Sequence, residues 1–286
     1  MKLVNFYREQ QLCLGVMTDK GMLDMSSRFD MDRLLTAGEQ EVQALRAYAE
    51  GLIHSGDVLF LHEEQIRYAP CVPNSRKIIC IGLNYRRHAE ESGMNPPEEP
   101  LLFSKFSNAL AAHQEDIELP AESRQVDYEA ELGIVIGRKV RNISKEDALS
   151  AVFGYCCAND LSARDLQFRS SQWLLGKSCD GFAPCGPYLI TADEVPSPNK
   201  LEIRTLVNGE VRQSSNTSDM IFHCDEIISY ISRHMTLEPG DLILTGTPEG
   251  VIMGLPESER VWLRDGDTVT VEIEGLGSLT NRLVKP

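Results

Sequence analysis

The segment Val126–Gly137, VDYEAELGIVIG, alternates with a period of two. Its even positions are Val126, Tyr128, Ala130, Leu132, Ile134 and Ile136, an almost wholly apolar set. Its odd positions begin with Asp127, Glu129 and Glu131 and continue with Gly133, Val135 and Gly137. Successive side chains of an extended strand point to opposite faces, so the pattern predicts a strand with a core on one side and gathered like charges on the other. Other strand signals are KLVNFY, LCLGVM, KIICIG, VFGYCCAND, PYLIT, KLEIRTLVNGEVRQ, DLILTG and DTVTVEIEGLGSLTNRLV. Within them Asn208-Gly209 is a favoured two-residue hairpin turn, and Val269, Val271 and Ile273 alternate as in a half-buried strand. Helical signals are fewer: Met31 to about Leu52, SKEDALSAV, SARDLQFRS and CDEIISYISRHM. The segment GDVLFLHEEQIRYAP between them reads as extended. Strands outnumber helices without regular β–α alternation, which predicts an α+β, mostly β fold. APCVPNS, with two prolines, reads as a linker between a small N-terminal α/β appendage over 1–72 and a main body over 73–286.

Composition narrows the partners. The net charge of −15 argues against nucleic acid or an anionic membrane surface. The opening MKLVNFYREQQ has no apolar run of signal-peptide length and no stretch suits a membrane span, so the expected location is cytoplasmic. The eight cysteines form no CxxC pair and mostly sit in apolar runs, which fits packing roles in a reducing compartment.

Four stretches carry candidate chemistry. Glu129 and Glu131 share a strand face, and Asp160 closes the next strand, with Ser162 near a helix N-cap. Three carboxylates without a nearby His or Cys suit a hard cation such as Mg²⁺, Mn²⁺ or Ca²⁺, although on residue types alone a solvent-facing strand is the better explanation of the acids. In CIGLNYRRHAEESGMN, His88 and Glu91 are three apart and would share a helix face, with Gly93 as a stop; a carboxylate beside an imidazole suits a general base, and mixed surface charge is the alternative. In QWLLGKSCDGFAPCGP, Lys177 enters a Gly/Pro-rich segment, where it would meet a substrate oxygen or simply snorkel. GDLILTGTPEGV ends a strand in a turn whose N–H groups and hydroxyls suit an anion, or only a hairpin.

Taken in order, GLNYRRHAEE, DYEAELGIVIG, NDLSARDLQ, LGKSCDGFAPCGP and GDLILTGTPEGV resemble the fumarylacetoacetate hydrolase family from about Lys77 onward. The resemblance implies a mixed β-sandwich roll and a homodimer. It implies Glu129, Glu131 and Asp160 as ligands of Mg²⁺ or Mn²⁺, with Ca²⁺ as a substitute, and leaves Asp127 outside the site. It also implies His88, Glu91 and Lys177 as catalytic residues and Gln167 and Thr247 as substrate-binding ones; Arg164 and Asp165 read as structural. The expected activity is metal-dependent hydrolysis of a C–C bond in a small 2-oxo or 1,3-dioxo acid, such as an acylpyruvate. The alternatives are an oxaloacetate-type decarboxylase, a 2-hydroxyhepta-2,4-diene-1,7-dioate isomerase, a ureidoglycolate-lyase-like enzyme, or a structural metal-binding protein without activity.

Overall fold

A computed structural model describes residues 1–56 and 58–286. Asp57, inside the segment read as extended after the first helices, lies outside the described residues. Among the described residues most strands join one 11-stranded sheet. Its path runs Gly21–Asp24, Gln11–Thr18, Lys2–Arg8, Ala183–Thr191, Val152–Asn159, Ala130–Ile136, Leu242–Leu244, Ile78–Gly82 and Leu101–Lys105. A second, five-stranded sheet is ordered Glu210–Asn216, Glu202–Val207, Thr268–Ile273, Gly277–Val284 and Asp116–Glu118. The mostly-β expectation therefore holds, in the form of these two large sheets, a two-stranded pair and a smaller share of helix. The N-terminal strands continue the large sheet, since Lys2 and Leu3 register against Ile190 and Leu189.

The charged strand departs from the simple alternation in two ways. Val126–Asp127 pairs separately with Ser162–Ala163, and the long strand begins only at Ala130. Its odd face is also buried: Leu132, Ile134 and Ile136 pack with Tyr155 and Ile243, whereas Val135 packs on the other side with Leu242 and Phe153. Both edges of the strand are paired, with Val152–Asn159 and Leu242–Leu244, and each face packs into an apolar cluster. A solvated strand is thereby ruled out for Glu131, which is 1% exposed.

Smaller differences have local causes. The first helical region splits into Met31–Ala37 and Glu39–Ser55, because Gly38 takes φ +70° between them. Ser162 is not a helix N-cap: it lies in the short strand, and its hydroxyl donates to the Asp160 carbonyl. The helix that follows is only Arg164–Gln167. Asn208 and Gly209 both take positive φ, as the hairpin turn requires. All eight cysteines are free thiols, and all but Cys179 are buried.

Strand pairing brings the acidic residues together. Val152–Asn159 delivers Asp160 at its C-terminal end beside the start of Ala130–Ile136, where Ala130 registers with Asn159. Gly154 sits mid-strand, and a Cβ there would fall on the Ile190 carbonyl of the neighbouring strand. Gly154→Ala should therefore lower stability by about 1–3 kcal/mol, the usual cost of overpacking. A fall in the urea midpoint with an unchanged slope is the expected reading; an unchanged midpoint would mean the strands part freely.

Candidate active site

Three buried carboxylates meet where these strands end. Glu129, Glu131 and Asp160 each offer an oxygen, and the three atoms lie within 4.8 Å of one another. Glu129 leads into the central strand, and its N–H donates to Asn159 Oδ1 at 3.0 Å. The Asp160 N–H donates to the Glu129 carbonyl at 2.9 Å, so the two acids hold each other's backbone. Glu131 Oε2 accepts from the Gly246 N–H at 2.7 Å.

Such crowding demands positive charge. Lys177 Nζ donates to Glu129 Oε2 and Asp160 Oδ2, each at 2.8 Å. Arg164 bridges Glu129 Oε1 at 2.6 Å and Asp127 Oδ2 at 2.9 Å. Lys105, which lies outside every motif singled out above, pairs with Asp160 Oδ1 and donates to the Leu161 carbonyl. Burial would lift Glu129, but the Lys177 ammonium and Arg164 guanidinium prevail and hold it below the ordinary carboxylate range. Glu131 goes the other way: burial, then the charges of Asp160 and Glu129, push it well above that range. Burial would lower Lys177, yet Asp160 and Glu129 outweigh it and raise the ammonium.

The site can hold a hard divalent cation. Its convergent donors are all carboxylate oxygens, the set such ions prefer. Asp160 Oδ1 accepts no hydrogen bond among the described residues, although Lys105 is its ion partner. Asp127 has no such spare capacity: it accepts from the N–H groups of Tyr128, Ile252 and Met253 as well as from Arg164.

His88 and Glu91 lie on the helix Arg86–Glu91, and His88 Nδ1 is 2.8 Å from Glu91 Oε1. Glu91 Oε2 accepts from the Gly250 N–H at 2.9 Å. The turn after Leu242–Leu244 thus serves two of the protein's own carboxylates, Glu131 through Gly246 and Glu91 through Gly250. Sequence reading left those donors open to an anion or to plain hairpin chemistry. Gly246 takes φ +98°, and a Cβ there would lie 2.7 Å from that of Asn84, so glycine alone fits. Thr247 Oγ1 accepts from Gln213 Nε2 at 2.9 Å. Gln213 Oε1 in turn accepts from the Ala130 N–H and the Thr205 hydroxyl, fastening the turn to the acidic strand. Gln213 escaped notice because it follows an exposed hairpin with no motif around it. Gln167 lies against Arg164, whose Nη1 donates to its Oε1 at 3.1 Å.

A cavity of about 50 Å³ gathers His88, Glu129, Glu131, Lys177, Gln167 and Thr247. Ser92, Phe103 and Trp173 also line it, and the buried Ser92 hydroxyl has no partner among the described residues. A larger groove of about 650 Å³ beside Val42, Arg46 and Phe153 lacks such a convergence of acids. Two of the three clustered acids, Glu129 and Glu131, line the small cavity.

Residues 77–284 match the family model described as fumarylacetoacetate (FAA) hydrolase C-terminal. The chain is 41% identical over 272 residues to a Xenopus laevis protein named oxaloacetate tautomerase fahd2, mitochondrial, covering 94% of this chain and 83% of that one. A putative HpcE protein from Mycobacterium smegmatis superimposes with a TM-score of 0.85 at 36% identity, covering 100% of this chain and 99% of that one. Maleylpyruvate hydrolase from Sphingobium sp. SYK-6, solved with manganese(II) and pyruvate, gives a TM-score of 0.82 at 30% identity, with 100% and 99% covered. Among the described residues no helix is long and apolar enough to cross a membrane.

The opposed shifts of the glutamates set a pH dependence for the metal-free protein. Because Glu131 is raised on folding, its contribution is fully present below its ordinary value of 4.5 and is lost as pH rises through the elevated folded value. Glu129 is depressed, so its contribution is present above 4.5 and disappears only as pH falls through the lowered value. With EDTA present, stability measured by urea unfolding should decline with rising pH above about 4.5, and Glu131→Gln should flatten that decline. An identical slope in the variant would count against the assignment.

Proposed function

The chain belongs to the fumarylacetoacetate hydrolase family, and from that premise we propose that it is a divalent-metal-dependent enzyme that enolises a small 2-oxo acid. Oxaloacetate is the first substrate and keto–enol tautomerisation the first reaction. One observation carries the reading: Glu129 and Glu131 of the acidic triad line a single small cavity together with His88, whose ring is hydrogen-bonded to Glu91. The identity to an oxaloacetate tautomerase over 94% of the chain supports the choice of substrate.

In this reading Glu129, Glu131 and Asp160 hold Mg²⁺ or Mn²⁺. Such a cation polarises a bound carbonyl and acidifies the adjacent C–H. His88 takes the C3 proton. Glu91 at Nδ1 leaves Nε2 as the basic nitrogen and stabilises the imidazolium once the proton arrives. Lys177 carries a proton on Nζ next to the triad, where it serves the carbonyl oxygen that becomes hydroxyl. Gln167 and Thr247 orient the acid from the cavity wall. For the triad to hold a cation, Lys177 would have to release the carboxylates it now holds, which would leave its ammonium available to substrate.

Hydrolysis of a C–C bond in an acylpyruvate is the second reading. The hydrogen-bonded His88–Glu91 pair favours it, because the same base can activate water. Pairing into a homodimer is also proposed. Exposed Leu101, Phe106, Phe168 and Leu175 give the protein apolar surface to cover, and sedimentation showing only monomer at micromolar concentration would oppose it.

One assay separates the reactions: C3–deuterium exchange and enol absorbance for tautomerisation, CO₂ for decarboxylation, two acids for hydrolysis. Mn²⁺ or Mg²⁺ should be required, and Glu129→Ala or Glu131→Ala should abolish turnover in a folded protein. His88→Ala should keep metal affinity, measured by calorimetry, while turnover falls by about 10²–10⁴. No reaction across a panel of oxo acids with either metal would leave only structural metal binding. Loss of metal binding in His88→Ala would show the ligands to be misplaced.

A further inference from the structure

We propose that Trp173 is a specificity-determining residue, an aromatic stop that holds the cavity to compact oxo acids. This rests on the reading of the cavity as an oxo-acid site. A volume of about 50 Å³ is far below the 300 Å³ at which drug-sized ligand pockets begin. Substrate must therefore gain room by moving some wall, and the walls differ in what they can yield.

The inner walls are fixed. Ile81 and Gly82 end a sheet strand, and Glu131 belongs to the central one. On the outer side Phe168 is 52% exposed and can swing into solvent. Trp173 is held. A Cβ built on Gly82 would lie 3.0 Å from Trp173 Cζ3 and 3.2 Å from Cη2, so the indole edge rests against bare backbone. The Phe103 ring stands edge-on to it, with centroids 5.2 Å apart and planes at 68°. Phe103 in turn carries Lys177 Nζ 5.0 Å from its centroid. The indole is thus wedged between a sheet strand and the ring beneath the reactive lysine. Its backbone is committed as well, since the Gly176 and Lys177 N–H groups donate to the Trp173 carbonyl.

Those backbone bonds survive a change of side chain, so the ring can be shortened without displacing Lys177 through its helix. An acid with a long tail must push the indole off both Gly82 and Phe103, whereas a four-carbon acid need not. The barrier is steric, and it selects by length rather than by charge.

The test uses Mn²⁺-loaded wild type, Trp173→Ala and Trp173→Phe. Calorimetry compares binding of oxalate with that of 2-oxooctanoate, and kinetics compare kcat/KM for oxaloacetate with acylpyruvates of increasing acyl length. The long-to-short preference should rise about tenfold or more in Trp173→Ala, the scale on which pockets discriminate by chain size, and by less in Trp173→Phe. Trp173→Phe keeps an aromatic ring against Gly82 and serves if the alanine variant does not fold. An unchanged preference in a folded variant, in binding and in turnover alike, overturns the proposal. A shifted binding preference without turnover of any acid supports the aromatic stop and fails the enzyme reading instead.

Discussion

Burying negative charge is the constraint on which the rest of the structure depends. Glu129, Glu131, Asp160 and Asp127 are all at most 5% exposed, and three cations, Lys105, Lys177 and Arg164, stand among them. Four carboxylates against three cations leave a deficit of positive charge, which shows in the raised Glu131. A desolvated carboxylate without a partner costs several kcal/mol, so each acid is fixed by the ion or N–H that compensates it. A divalent cation reverses the local balance from one negative to one positive charge. That reversal suits an anionic oxo acid in a chain of net charge −15, because attraction then exists only at the loaded centre.

The same constraint explains what could be read from the chain and what could not. Alternation placed Glu129 and Glu131 together, since period-two geometry depends only on local backbone. It did not reveal that the odd face is covered, because burial there comes from neighbouring strands remote in sequence. Spacing on a short helix brought His88 to Glu91 for the same local reason. Lys105 and Gln213 had no local signature. One is a lysine at the end of an edge strand, the other a glutamine after a hairpin, and each reaches the acidic strands across more than fifty positions. Arg164 was read as structural. Its link to Asp127 fits that description, but its bond to Glu129 joins the frame directly to the acidic cluster.

Asp127 stands in the acidic motif, and its oxygens are taken up by the protein's own donors. It draws in the N–H groups of Ile252 and Met253 and locks Arg164, so it joins the loop after the glycine turn to the acidic strand. The turn itself reaches back to Glu131 through Gly246 and to Glu91 through Gly250. One short loop is therefore bonded to the acidic triad and to the histidine's carboxylate partner.

This arrangement links two functions that are usually considered separately. A displacement of the loop that loosens Glu131 also disturbs Glu91, and with it the orientation of the His88 ring. The carboxylate cluster and the His88–Glu91 pair are consequently positioned by one element rather than by two independent ones. Gln213 makes the link stiffer, because both ends of its amide are used: the oxygen on Ala130 and Thr205, the nitrogen on Thr247 and the Pro248 carbonyl. Shortening that side chain would leave buried N–H and hydroxyl groups unpaired at about 1–3 kcal/mol each. The position of the turn relative to the acidic strand is thus held by a residue outside every recognised motif, and the relative placement of the acid cluster and the His88–Glu91 pair depends on it.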